Sequence, residues 1–222
     1  VSKYGLTPFN SGIGAAAGDC IMCLPTVNQG IDNAQRVGVS IRPIKLVIRG
    51  YIVYNTEDLL GSGKFDARML GARLFCYQDK GNKAASNLVY NASLLEDGTG
   101  TKNFTGLAMD FGAPKNTDEF TFFADKKFRV LKPYGTTNDT TPSNTTSIMC
   151  MNNSMFHPFT ITLSKKHLPA TLKYNDFVDI NFPINFNPRI SLGYCDLLNV
   201  APDTVTTQLS MQFYSTLYYE DA

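Results

Sequence analysis

Apolar and polar residues alternate along most of this chain, and a helical spacing of apolar residues is confined to one short stretch. The strongest alternation lies at 39–54, where Ile44, Leu46, Ile48 and Ile52 share one parity and are expected to face a core. Lys45, Val47, Arg49 and Tyr51 share the other parity and are expected to face solvent or a neighbour. The run "ARMLGARLFCYQ" at 67–78 predicts a second strand with Leu70, Ala72, Leu74 and Cys76 inward. Near the C-terminus, Leu209, Met211, Phe213 and Leu217 alternate with Gln208, Ser210, Gln212 and Tyr214, which predicts a strand over 207–221.

Shorter runs fill the chain between these. A strand is expected at 19–25, closed by Pro25, and others at 156–166, 176–184 and 189–198. The stretch "EFTFFADKKFRVLKPY" at 119–134 predicts two strand pieces meeting at Asp125-Lys126-Lys127. Leu88, Ala92 and Leu95 are spaced four and three apart, so 84–97 predicts a short helix closed by Gly98. Residues 1–18, rich in Gly, Ala and Ser, are expected to be an extended lead-in, and 56–66 and 99–118 mostly loop. The stretch 135–154 is close to low complexity and predicts a long exposed loop.

About eight strands with long, uneven loops and at most one short helix predict an all-β jelly-roll sandwich rather than an up-and-down barrel. No linker divides the chain, so residues 19–222 are read as one domain, a size that suits all-β folds. Of the 222 residues, 43% are hydrophobic, enough for a substantial core, and 15 Phe and 11 Tyr without Trp lean toward strands. The net charge of +1 gives no overall bias toward nucleic acid. No apolar run reaches the roughly 18 residues of a membrane span. Val1 is not an initiator Met, and the sequence reads as the ordered portion of a longer chain.

Candidate chemistry is sparse. Cys20-Ile-Met-Cys23 resembles half a zinc ribbon, but no second such pair follows, and on a strand the two thiols would diverge. Small buried apolar residues explain them better. His157 and His167 lack the neighbours of a zinc site or a catalytic triad. Leu60-Gly61-Ser62-Gly63-Lys64 lacks the first glycine and the Ser/Thr of a phosphate loop. The acid pairs Glu96-Asp97, Asp118-Glu119 and Glu220-Asp221 sit beside turns or the terminus, and Asp176 and Asp179 diverge as calcium ligands. No enzyme, metal or cofactor is expected. Sequons at Asn91, Asn103, Asn138, Asn144 and Asn152 fit the chance yield of an Asn/Thr-rich chain. Lys126, Lys127, Arg129 and Lys132, with Lys165 and Lys166, read as solvated strand faces with phosphate contact as the sharper alternative.

One constellation is more specific. Gly30, Asp32, Gln35, Arg36, Val37, Gly38 and Ile41, followed by the strand from Leu46 to Ile52, resemble a segment of capsid proteins from small circular Rep-encoding single-stranded DNA viruses, the circovirus-like (CRESS-DNA) group. The stretches "FFADKKFRVLKPY" and "LKYNDF" and the aromatic closing strand resemble further segments of that family, in the same order. The lack of Trp and of a basic N-terminal arm departs from its pattern.

The resemblance implies two four-stranded sheets, B-I-D-G and C-H-E-F, and an icosahedral shell of about 60 copies in the simplest case. It implies a virion protein, assembled inside the host cell and in the nucleus for a DNA virus, that binds packaged single-stranded DNA and a host receptor. The turn formed by Gly30, Gln35, Arg36 and Gly38 would carry the chain between sheets, with the glycines giving backbone freedom and Arg36 as an anchor or a phosphate contact. The B-I-D-G sheet would line the interior, with Lys3, Arg36 and Arg73 as its DNA-facing residues. At +1 per copy, about 60 copies cannot neutralise a genome on the order of thousands of nucleotides, so a Lys/Arg-rich arm is expected before Val1. Two other readings stand: a jelly-roll capsid of an RNA virus, and a secreted lectin or trimeric ligand module.

Overall fold

The computed structural model describes residues 1–10, 12–13, 19–32, 35–54, 69–84, 93–131, 155–175, 181–198 and 208–221. Among these residues eight principal strands run in chain order: β1 (Ser2–Phe9), β2 (Ile21–Met22), β3 (Ser40–Tyr54), β4 (Met69–Asp79), β7 (Phe120–Leu131), β8 (Phe156–Ser164), β10 (Arg189–Asp196) and β11 (Leu209–Asp221). Three two-residue strands, β5 (Leu95–Glu96), β6 (Thr101–Lys102) and β9 (Leu172–Lys173), decorate them. One sheet has the order β1-β11-β3-β8, with β9 pairing the start of β3, and the other has the order β2-β10-β4-β7. With the eight principal strands lettered B to I, those orders read B-I-D-G and C-H-E-F. The fold is a jelly roll.

The core lies between the two sheets. Leu46, Ile48 and Ile52 of β3 and Leu70, Ala72, Leu74 and Cys76 of β4 are fully buried. They meet Ile161 and Leu163 of β8, Ile190 and Leu192 of β10, and Met211 and Phe213 of β11. Gly50 faces inward among them, where a Cβ would lie 2.8 Å from the Phe159 ring and 2.6 Å from Phe213 Cβ. Its missing side chain is what lets those two aromatics meet the strand.

Ile44 departs from its expected place. Tyr218 pairs with Lys45 but Tyr219 pairs with Pro43, so Ile44 is the extra residue of a β-bulge. The bulge reverses parity: Ile41 and Pro43 are buried before it, Leu46 and Ile48 after it, and Ile44 is only half-buried.

The second sheet is covered on its outer side as well. The segment 93–118 lays Leu94, Leu95 and Phe104 over Phe75 and Tyr77, with Ile13, Cys20 and Phe120 completing a smaller cluster. Gly193 and Gly71 are contact points on the sheet, since a Cβ on Gly193 would lie 2.6 Å from the Phe104 ring and one on Gly71 3.0 Å from the Phe111 ring.

Several expectations are corrected. Ser2–Phe9 is not a lead-in but an edge strand, paired antiparallel with β11 from Ser2↔Ser215 to Phe9↔Leu209. Asp125-Lys126-Lys127 does not divide two pieces, because β7 pairs with β4 throughout. The described end of the expected helix, at 95–96, pairs with 101–102 in a hairpin, and Gly98, with φ of 65°, makes its turn. Of the strand expected at 176–184, the described residues 181–184 form turns, with a single bridge from Pro183 to Tyr174. The loops at 56–66 and 135–154 lie outside the described residues.

Candidate nucleic-acid interface

Arg73 sits in β4, on the covered side of the second sheet, and is 2% exposed. Its Nε and Nη2 donate to the two carboxylate oxygens of Asp125 at 2.9 and 2.8 Å. Nη1 donates to the carbonyls of Asp110 and Ala113, each at 2.8 Å. Asp110 is itself buried, accepts from the Thr105 N–H and hydroxyl at 2.7 Å, and pairs with Lys102 at 3.0 Å. Burial alone would raise the carboxyls of Asp110 and Asp125, but the Thr105 and Lys102 hydrogen bonds on one and the Arg73 fork on the other hold both below the ordinary aspartate value. Such an arginine fastens the 93–118 cover to the sheet. It cannot reach DNA, so the expected interior contact at Arg73 is corrected.

Arg36 is also fully buried. Its Nη1 donates to the Gly38 carbonyl, and its guanidinium lies over the Tyr174 ring at 4.4 Å from the centroid. The backbone around it closes as a loop: Gly30 N–H donates to the Arg36 carbonyl at 3.0 Å and Arg36 N–H to the Asn28 carbonyl at 2.9 Å. Gln35 clasps Asp32, accepting from its N–H at 3.2 Å and donating to its carboxylate at 3.1 Å. Gly30 leaves room for that clasp, since a Cβ there would overlap Gln35 Oε1 at 1.6 Å. Backbone freedom is not the reason, because the positive-φ glycines among the described residues are Gly98 and Gly106. Among the described residues nothing requires glycine at 38. Arg36 is a buried turn anchor, and its guanidinium is not at the surface.

Lys3 differs from both. It is exposed on β1, on the outer side of the first sheet. In register, Lys3 lies beside Tyr214, Tyr214 beside Arg49, and Arg49 beside Thr160. Two residues further along, Gln212 lies beside Tyr51, whose hydroxyl donates to it and whose ring stacks on Phe156 at 4.9 Å. In the other direction Tyr218 lies beside Lys45, with Lys45 Nζ 4.4 Å from the ring centroid. Beyond the bulge, Glu220 lies beside Arg42. Arg42, Lys45 and Arg49 are exposed like Lys3, and Glu220 is the one acid among the described residues of these rows.

The alternation of 39–54 already puts Lys45, Arg49 and Tyr51 on the outward parity. What the sequence does not show is their alignment with Tyr214 and Tyr218, which pairing from the far end of the chain creates. This face can hold a polyanion through its cations and flat rings through its tyrosines.

The remaining candidates do not gather into a site. Cys20 and Cys23 diverge, Cys20 into the smaller cluster and Cys23 into the main core. Among the described residues no group of three or more His, Cys, Asp or Glu could hold a metal ion. His157 and His167 lie against Phe128 and Phe123. Lys127 and Arg129 are exposed on the edge strand β7, and Lys165 and Lys166 on a turn after β8. Asn103 is half-buried. Cys150, Lys132, Asp176, Asp179 and the other four sequons lie outside the described residues.

No protein-family model and no curated protein matches the chain. Among solved structures it is similar to a chain of "Israeli acute paralysis virus heated to 63 degree - full particle", at 13% identity and a TM-score of 0.32 over 100% of this chain. It spans 61% of that chain's length. The jelly-roll assignment rests on the strand order of the two sheets.

Proposed function

We propose that this chain is a capsid protein whose copies assemble into a closed shell around single-stranded nucleic acid. The observation that carries the reading is the unlike dressing of the two sheets: one is covered by the 93–118 segment, the other presents Lys3, Arg42, Lys45 and Arg49 among tyrosines. The covered side also carries exposed cations, Lys127 and Arg129 on β7. The uncovered sheet, however, sets its cations beside exposed tyrosines, which suits a wall with cargo on that side. The order of motifs at 30–41, 46–52 and 122–134 supports a circovirus-like shell of about 60 copies enclosing single-stranded DNA.

The same reading makes the role structural rather than catalytic, with the virion as its place and the nucleus as the site of assembly. The net charge of +1 requires further cations from a basic arm in the full-length protein. The test is negative-stain electron microscopy of the purified full-length protein, with its mass in solution measured alongside. Uniform closed particles are expected, and nuclease digestion of their contents decides between DNA and RNA. A stable monomer or trimer at high concentration, across salt and pH, would overturn the proposal in favour of a secreted binding module.

A further inference from the structure

Three features of the β1-β11-β3-β8 outer face ask for an explanation that folding does not supply. The first is where the cations sit. Lys on a sheet commonly blocks edge pairing, but Lys45 and Arg49 lie on β3, which is paired on both sides by β11 and β8. Edge protection therefore accounts for Lys3 at most.

The second is the repeat. Tyr214 pairs with Arg49 and Tyr218 with Lys45, so the same ring–cation couple recurs after four residues, about 13 Å along the strands. Lys3 adds a second cation on the far side of Tyr214. The third is exposure: Tyr214 and Tyr218 are 44% and 45% exposed, and Phe156 beside Tyr51 is 49% exposed. Tyrosines so exposed on an interior strand contribute little to the core and mark an interaction surface.

The geometry points to a binding platform for single-stranded nucleic acid on this face, with bases laid on Tyr214 and Tyr218 and phosphates held by Lys3, Lys45 and Arg49. The inference rests on the proposed capsid function for its choice of cargo. Stacking selects a single strand, because a duplex keeps its bases paired inside and cannot lay them on the rings. Glu220 lies opposite Arg42, so among the described residues three cations have no acid facing them in strand register, and binding weakens with salt at a log–log slope of about −2. Every base has a flat face, so the platform reads no particular sequence.

The test is fluorescence anisotropy of this chain with labelled poly(dT), poly(U) and a duplex, each of about 20 units, longer than the roughly 4–16 nucleotides such a platform covers. Single strands are expected to bind more tightly than the duplex, and the ratio of poly(dT) to poly(U) identifies the favoured cargo. Tyr214→Ala and Tyr218→Ala each lose about five- to 100-fold in affinity, while Tyr214→Phe and Tyr218→Phe keep most of it. Lys45→Gln with Arg49→Gln flattens the salt slope by roughly 1.4 units. All these side chains are exposed, and an unchanged melting temperature certifies each variant as folded.

Equal binding of duplex and single strand, or affinity indifferent to the ring and cation variants, overturns the platform. Shells that form from a chain without this binding sink the platform and spare the capsid reading. Single-strand binding by a chain that never closes into shells does the reverse.

Discussion

The guanidinium of Arg73 grips both carboxylate oxygens of Asp125, at 2.9 and 2.8 Å, across neighbouring strands of the covered sheet. Its remaining arm holds two carbonyls of the covering segment. Removing one partner of such a pair leaves the other charge partly desolvated, which costs more than the pair itself contributes. Arg73→Met is therefore expected to lower unfolding free energy by about 3 kcal/mol, read from the urea midpoint. Arg73→Lys recovers only part, because one ammonium cannot reproduce the fork. A loss below about 1 kcal/mol for Arg73→Met would place the pair among ordinary surface bridges.

Acid should loosen the same region. Asp110 and Asp125 both titrate below the ordinary aspartate value in the folded chain. A carboxyl with a depressed folded pKa stabilises fully above its unfolded value, near ~3.9, and loses that stabilisation as pH falls through the folded one. Unfolding free energy is expected to hold steady as pH falls from neutrality toward about 5, then drop below about 4. Asp110→Asn should flatten that drop, because Lys102 then faces a neutral amide at every pH. Urea titrations at stepped pH check it, and an identical acid limb in wild type and variant would contradict the assignment.

How much of this is legible in the sequence depends on whether the deciding contacts are local. The period-two runs of β3, β4 and β11 identify core residues such as Leu46, Ile48, Leu74 and Phe213, because alternation is a property of the strand itself. The same pattern misplaces Ile44, because its bulge is set by the pairing of Tyr218 and Tyr219, which nothing near Ile44 encodes. β1 is hidden for the same reason: the Gly/Ala/Ser-rich stretch 1–18 reads as an extended lead-in, and the strand exists by pairing with β11 at the opposite end of the chain. The outward parity of Arg73 is plain in the sequence, yet local sequence cannot reveal that 93–118 folds over that side. The basic–aromatic face is half in view through Lys45, Arg49 and Tyr51, and only cross-strand register joins it to Tyr214 and Tyr218.

Gly193 offers a test of how the cover is seated. The Phe104 ring occupies the space its Cβ would need, at 2.6 Å, and pairing with Arg73 on β4 holds the backbone in place. Gly193→Ala forces the ring away and is expected to cost about 1–3 kcal/mol, read as a lowered melting temperature. Phe104→Leu in that background should recover part of the loss by vacating the contact. A Gly193→Ala chain as stable as wild type would mean that the ring shifts freely, and the cover is looser than its burial indicates.

The cysteines give the last prediction, and it separates a structural role from a metal or redox one. Cys23 donates to the Pro188 carbonyl at 3.2 Å and Cys195 to the Gly71 carbonyl at 3.6 Å, while Cys20 meets the Tyr77 hydroxyl at 3.3 Å. Burial pushes the Cys23 thiol well above its ordinary value and the Cys195 thiol up to about 11. The thiolate is the reactive form, so both should resist alkylation at mildly alkaline pH in the folded chain. Mass spectrometry after iodoacetamide is expected to find Cys20, Cys23, Cys76 and Cys195 unlabelled in native protein and all four labelled in denaturant. Zinc should leave the melting temperature unchanged, because Cys20 and Cys23 point into different clusters and cannot share an ion. Rapid labelling of Cys23 in the native chain would show that the core beneath β2 opens, and that the first strands of the second sheet are less firmly held than their packing implies.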